Sequence, residues 1–105
     1  MNYAILDIGS NTVKMTIFSE MGEILHKKST AAGLISYIKS DIMSEEGINL
    51  LAAIIRRYDE NAKQMGAECL YPFATASLRA AKNADEVIAE VEKQMAKYLE
   101  ELGLN

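Results

Sequence analysis

Apolar and polar positions follow two different periods along the chain, one typical of strands and one typical of helices. Residues 3–8 form a short apolar run that ends at a glycine, which predicts a buried strand. Residues 13–18 alternate with a period of two and predict a second strand, and residues 24–30 predict a third. Because turn-forming residues occupy 9–12 and 20–23, we expect these strands to form an antiparallel meander.

Two later segments have helical spacing. Apolar residues recur at three- and four-residue steps from 48 to 65, with Ser44 as the predicted N-cap and Gly66 as the stop. A capping-box pattern at 83–86 precedes a second helix of similar spacing, which ends at Gly103. The sequence therefore predicts two long amphipathic helices.

The remaining segments are less regular. Residues 68–74 predict a fourth strand, and Pro72 within it indicates an edge strand or a bulge. Residues 75–81 predict a turn into a short helix, whereas residues 31–43 have no clear period and are expected to be a loop with at most a helical turn. The order βββ-α-β-α predicts an α/β domain over residues 1–105, with a mixed sheet flanked by helices.

Composition and charge exclude several classes of protein. The chain has 105 residues, 50% hydrophobic and 25% charged, which is typical of a globular domain. A net charge of −4 without any basic block argues against nucleic acid as a partner. No apolar run approaches the ~18 residues of a membrane span, and no signal peptide is recognisable at the start. We therefore expect a cytoplasmic protein with no membrane partner.

The most informative segment is the turn after the first strand. Asp7 ends an apolar run, and Gly9, Ser10, Asn11 and Thr12 follow it. A carboxylate can bind Mg²⁺, and the N–H groups of a tight turn can converge on an anion. The same residues are equally typical of an ordinary hairpin turn, with Asp7 in solvent at the strand end.

A second polar segment follows the fourth strand. Thr75 and Ser77 offer hydroxyl groups where a helix is expected to begin, and Arg79 offers a guanidinium suited to phosphate oxygens. The simpler interpretation is an N-cap threonine and a surface arginine. By itself this segment predicts little.

Taken together, the two segments resemble the exopolyphosphatase / guanosine pentaphosphate phosphohydrolase (Ppx/GppA) family. YAILDIGSNTVK at 3–14 is similar to the opening of that family, and FATASLRAAKNADEVI at 73–88 is similar to its second signature. Ser44 and the two glutamates that follow it also resemble the family. Sugar kinases, actin and heat-shock chaperones share related first loops, whereas the pair of motifs at this separation is more specific.

The resemblance implies a half-domain of the actin-like ATPase (ribonuclease H-like) fold. It implies hydrolysis of a terminal phosphate from polyphosphate or guanosine pentaphosphate, with Mg²⁺ as cofactor, by in-line attack of water. The metal would be held with the help of Asp7. The phosphate-binding residues that the resemblance implies are Gly9, Ser10, Asn11, Thr12, Thr75, Ser77 and Arg79.

The chain departs from the family pattern in ways that bear on activity. Many members have an arginine-containing stretch where this chain has residues 32–37, so a basic phosphate contact is missing. The segments with the family's catalytic carboxylate and its second phosphate loop would follow Asn105. We therefore expect the N-terminal phosphate-loop subdomain alone, inactive by itself.

Two alternative functions stay open at this point. The chain could be a non-catalytic binding or dimerisation module, in which a second copy covers sheet surface. It could also be a lobe of a sugar-kinase or chaperone-type ATPase, although the segment 75–79 argues against this.

Other candidate residues have simpler interpretations. We expect His26 at a surface or edge position, and Cys69, the single cysteine, as a small buried hydrophobe. The acidic residues of the last helix are expected to form a solvated face: Glu90, Glu92, Glu100 and Glu101.

Overall fold

The structure, a computed structural model, describes residues 1–74 and 76–103, without the side chains of Ala76 and Ser77. Its strands are β1 (Asn2–Ile8), β2 (Val13–Phe18), β3 (Ile24–Thr30), β4 (Ile38–Lys39), β5 (Ile42–Met43) and β6 (Ala67–Ala74). Its helices are α1 (Glu45–Gln64), α2 (Ala76–Arg79) and α3 (Ala84–Glu101), and a 3₁₀ turn spans Leu34–Tyr37.

Four strands form a mixed sheet in the order β3-β2-β1-β6. β1, β2 and β3 are the predicted antiparallel meander, and β6 joins β1 in parallel. Pro72 lies in β6 at the sheet edge, where its missing N–H removes no bond from a further strand. The prediction of a mixed sheet with flanking helices is confirmed.

One face of this sheet forms the core. Its side chains come from alternate positions of β1 and β2, and they pack against α1, with α3 lying against α1 in turn. The side chains of β1 and β2 that are buried on this face are Ala4, Leu6, Ile8, Val13, Met15 and Ile17. The period of two read from the sequence therefore identifies the core face of β2 correctly.

We call the opposite surface of the sheet the open face. It carries Tyr3, whose ring stacks on Phe18 with centroids 5.4 Å apart. It also carries Tyr71 and Phe73 of β6, whose side chains are 50% and 59% exposed. Cys69 belongs to the same set and is exposed, so the prediction that it is buried is wrong. Along β6, the odd-numbered residues from Cys69 onward point away from α1.

The two long helices begin differently. α1 begins as predicted, because the Ser44 hydroxyl accepts a hydrogen bond from the Gly47 N–H at 3.1 Å. α3 begins after Asn83, whose side chain makes no capping hydrogen bond to the first turn of the helix. Instead, Asn83 binds the backbone of Met43, so the predicted capping box is wrong.

Residues 31–43, expected to be a loop, contain regular structure and are called the strap below. After the 3₁₀ turn, β4 and β5 form a short antiparallel hairpin. The two residues at its tip, Ser40 and Asp41, have φ of 52° and 63°, which is the left-handed conformation of tight hairpin turns. Leu34 anchors the strap, since its side chain is fully buried.

The remaining surface expectations are largely confirmed. His26 is exposed on β3, an outer strand of the sheet. Glu92, Glu100 and Glu101 are exposed, whereas Glu90 is half-buried and accepts a hydrogen bond from Gln94 at 3.2 Å. Within the described part of the chain, no helix combines the length and the apolar composition needed to cross a bilayer.

Candidate functional site

The parallel pairing of β1 and β6 brings the two predicted phosphate segments to one edge of the sheet. In this pairing Asp7 lies opposite Phe73, and Ile8 lies opposite Ala74. Neighbouring strands are about 4.8 Å apart. The chain therefore leaves both strands side by side, into residues 9–12 (loop 1) and residues 75–79 (loop 2).

Loop 1 is a closed turn that requires glycine at its first position. The Gly9 N–H donates to the Thr12 carbonyl at 3.0 Å. A Cβ atom at Gly9 would lie 2.8 Å from that same carbonyl oxygen, closer than real Cβ contacts. Any side chain there would push the two ends of the turn apart. The turn itself is therefore a steric reason for glycine at this position.

Two carbonyl groups of loop 1, those of Ser10 and Asn11, are hydrogen-bonded to the strap. Gly33 donates its N–H to the Asn11 carbonyl at 2.9 Å, and Ile35 donates its N–H to the Ser10 carbonyl at 2.7 Å. Within residues 1–74 and 76–103, the backbone N–H groups of Ser10, Asn11 and Thr12 have no hydrogen-bond acceptor. Loop 1 therefore leaves three N–H donors available to a ligand, which is the polarity that an anion needs.

Asp7 lies on the open face at the end of β1, and its side chain is exposed. Its partner on β2 is Lys14, also exposed, and no salt bridge joins the two among the described residues. Lys14 is not among the site residues predicted from the sequence. Pairing the two predicted strands across loop 1 would have placed it opposite Asp7.

A cation at this edge would have few protein ligands. Asp7 is the single acidic residue within 2–18 and within 69–84. The described residues contain no group of three or more His, Cys, Asp or Glu side chains able to hold a metal ion. Mg²⁺ commonly binds through one or two carboxylates, with water and phosphate oxygens completing its octahedron. The residues therefore fit a metal that arrives with a phosphate ligand, and they do not fit a metal held by protein alone.

Loop 2 is only partly described. Thr75 lies outside the described residues, and so does the Ser77 side chain, so the predictions for both stay untested. α2 is a single turn of four residues, whose dipole is small compared with that of a long helix. Leu78 is buried and holds this turn to the core, and Arg79 is exposed. The positive charge of loop 2 therefore comes from Arg79 rather than from a helix dipole.

The chain is similar to known proteins in sequence and in fold. No protein-family model matches the sequence. An uncharacterised protein of Streptomyces coelicolor is 29% identical over 96 residues, which are 88% of this chain and 29% of that protein. A solved Ppx/GppA enzyme of Aquifex aeolicus is 26% identical, with a TM-score of 0.75 over 91% of this chain and 33% of its own.

An exopolyphosphatase structure from Cytophaga hutchinsonii has the same fold at lower identity. It is 17% identical, with a TM-score of 0.77 over 90% of this chain and 31% of its own. The chain thus spans about one third of the length of the proteins it matches. Over that third, it is similar to the N-terminal part of the Ppx/GppA exopolyphosphatase family and has the corresponding part of an actin-like ATPase fold.

Proposed function

We propose that this chain binds the phosphate chain of polyphosphate or guanosine pentaphosphate, together with Mg²⁺, at the edge formed by loops 1 and 2. It would act as the phosphate-binding part of an exopolyphosphatase-type hydrolase. The observation that supports this most directly is the parallel register of β1 and β6, which sets the two loops side by side. Two anion-binding segments at one edge suit a ligand with several linked phosphates.

Each group would have a distinct role toward this ligand. The N–H groups of Ser10, Asn11 and Thr12 would donate to one phosphate, with Gly9 keeping the turn closed. Across the strand pair, Lys14 would bind a phosphate oxygen beside Asp7, the proposed metal ligand. The groups proposed to contact the phosphate chain from loop 2 are Thr75, Ser77 and Arg79.

Hydrolysis needs more than binding. Mg²⁺, when bound, would neutralise phosphate charge. The protein's residues would hold the polyphosphate in line for attack by water. A general base must also take a proton from that water. Asp7 is the single carboxylate within residues 2–18 and 69–84, which include both loops, and it is already assigned to the metal. We therefore expect the 105-residue chain to bind phosphate. Turnover would require a general base that loops 1 and 2 do not supply.

The first experiment measures Mg²⁺-dependent affinity for long-chain polyphosphate and, in parallel, release of inorganic phosphate. The variant is Asp7→Asn, and its matched control is Glu68→Gln. Glu68 is an exposed acid at the opposite end of β6, so both variants remove one negative charge from the same strand pair. We expect Asp7→Asn to abolish the gain in affinity caused by Mg²⁺ and Glu68→Gln to retain it.

A second pair of variants tests the cationic side of the site. Lys14→Gln should weaken polyphosphate binding by about tenfold to a hundredfold, since a charge-assisted hydrogen bond contributes about 1.5–3 kcal/mol. Lys28→Gln, at an exposed position of the neighbouring strand, should have little effect. Wild-type protein that binds no polyphosphate with or without Mg²⁺ would overturn the proposed function. Phosphate release that disappears in Asp7→Asn would show that the chain already has a complete active site.

A further inference from the structure

The strap is bonded to loop 1 at one end. Gly33 and Ile35 donate their N–H groups to the carbonyls of Asn11 and Ser10, so two successive peptide groups of loop 1 are tied to the strap. Gly33 makes this possible through its left-handed conformation, with φ of 63°. The orientation of the loop 1 peptide groups, and thus of their N–H groups, depends on the position of the strap.

The other end of the strap is bonded to the segment that follows loop 2. Asn83 accepts a hydrogen bond from the Met43 N–H at 2.9 Å and donates one to the Met43 carbonyl at 2.9 Å. Beside it, the Lys82 N–H donates to the Asp41 carbonyl at 2.6 Å. The segment between α2 and α3 thus lies along the β4–β5 hairpin almost as an additional strand.

An asparagine suits this contact for a chemical reason. The side-chain amide has one carbonyl and one NH₂ group, so it can satisfy both the backbone N–H and the backbone carbonyl of a single residue. An aspartate would lose the donor, and an alanine would lose both bonds. Asn83 is half-buried, so the Met43 groups would not be fully compensated by water if it were removed.

The strap between these two ends is firmly packed. Leu34 is fully buried, and the Ser44 N–H at the start of α1 donates to the Tyr37 carbonyl at 2.8 Å. Gly47 of α1 has no side chain where Tyr37 passes over it; a Cβ there would lie 2.5 Å from the Tyr37 Cβ. Close packing of this kind resists local rearrangement of the strap backbone, and a positioning role for Asn83 requires the two ends of the strap to move together.

We infer that Asn83 is a positioning residue, which through the strap fixes loop 2 relative to loop 1 and so sets the spacing of the two phosphate-binding segments. The sheet fixes where β1 and β6 end, and the strap fixes how the loops beyond those ends are oriented. This inference rests on the proposed function for its consequence in binding, whereas the coupling between Asn83 and loop 1 can be measured without any ligand.

The test compares Asn83→Ala with Gln94→Ala. Gln94 is a matched control because its amide also makes two hydrogen bonds within or beside α3, to Asn49 at 2.9 Å and to Glu90 at 3.2 Å, and none to the strap. Hydrogen exchange of the Gly33 and Ile35 amides is the readout, since these amides donate to loop 1. Amides of the β1–β2 ladder provide an internal reference for global unfolding.

We expect Asn83→Ala to accelerate exchange at Gly33 and Ile35 about tenfold beyond any change in the β1–β2 ladder, the effect of losing about 1.4 kcal/mol of local stability. Gln94→Ala should leave both amides at the wild-type rate. Faster exchange confined to residues 41–43 and 82–84 would overturn the inference. So would equal acceleration of the strap and the ladder, because Asn83 would then only stabilise the fold.

Affinity for tripolyphosphate with Mg²⁺ tests the consequence for binding. Asn83→Ala should weaken it about tenfold, whereas Gln94→Ala should not. If the wild type binds and Asn83→Ala binds equally well, the positioning role is wrong while the proposed function stands. If the wild type does not bind, the proposed function fails, and the exchange data alone still decide whether Asn83 controls loop 1.

Discussion

At the residue scale, the geometry of loop 1 explains why glycine occupies position 9. Its N–H closes loop 1 on the Thr12 carbonyl, and that same carbonyl excludes a side chain. Asp7 and Lys14 flank this turn on the two paired strands. A single methyl group at Gly9 would therefore alter the spacing of Asp7, Lys14 and the N–H groups of loop 1.

The substitution Gly9→Ala tests this directly. We expect it to lower the free energy of unfolding by about 1–3 kcal/mol, as overpacking against backbone does, and to weaken polyphosphate binding. The matched control is Gly22→Ala in the next turn, where φ is 85° and no atom lies within 4 Å of the added Cβ. That control should cost about 1–2 kcal/mol of left-handed strain without changing binding. Urea unfolding and polyphosphate titration distinguish the two, and equal binding by Gly9→Ala would contradict the role assigned to loop 1.

At the scale of elements, the strap connects parts of the chain that are far apart in sequence. It bonds loop 1 through Gly33, packs across the first turn of α1 at Gly47, and holds the start of α3 through Asn83. Each contact joins residues that are far apart in the sequence, so local patterns do not predict which of them meet. The relation between them is visible only when the three elements are seen together.

The substitution Gly47→Ala separates helix propensity from packing. In an exposed helix, alanine is more favourable than glycine by about 1 kcal/mol. At Gly47, however, the new Cβ would lie 2.5 Å from the Tyr37 Cβ, so we expect a net destabilisation of about 1–3 kcal/mol by chemical denaturation. The reference is Ala53→Gly at an exposed position of α1, which should destabilise by propensity alone. A more stable Gly47→Ala protein would show that the strap yields easily.

At the scale of the whole molecule, a sheet and a helical layer form a thin body with principal extents of 42 × 29 × 18 Å. Within the helical layer, α3 contacts α1 through Tyr98, and the Arg56 guanidinium of α1 lies 4.7 Å from the centroid of the Tyr98 ring. Burial raises the pKa of the Tyr98 phenol above its ordinary value of 10.0, and the charge of Asp59 raises it further. The nearby Lys63 and Arg56 act in the opposite direction and do not outweigh burial.

This shift predicts how stability depends on alkaline pH. Because the folded pKa of Tyr98 is raised, its contribution is complete below the unfolded pKa near 10 and is lost as the pH rises through the folded pKa. We expect the free energy of unfolding to fall above pH 10, and to fall less steeply in Tyr98→Phe. Tyr71→Phe is the comparison: hydrogen bonding to Cys69 raises the Tyr71 pKa, but its exposed side chain is screened by solvent. Identical slopes in wild type and Tyr98→Phe would contradict the prediction.

The sequence by itself determined the elements with a clear period and the loops with a distinctive composition. The alternation of Val13, Met15 and Ile17 identified a buried strand face, and Ser44 and Gly66 identified both ends of α1. Local chemistry sufficed in these cases, because a strand period and a helix cap depend on neighbouring residues only. The motif at 7–12 was recognisable for the same reason.

Tertiary structure decided what depends on contacts between distant segments. The parallel pairing of β1 with β6 placed the two loops together and exposed Cys69 on the open face. The antiparallel pairing of β1 with β2 put Lys14 beside Asp7. Asn83 matched a capping box in the sequence, yet in the fold the Met43 peptide is the better partner for its amide. The hairpin of the strap was missed because strands of two residues are too short to show a period. Such features follow from pairing, burial and hydrogen bonding across the fold, which no local pattern encodes.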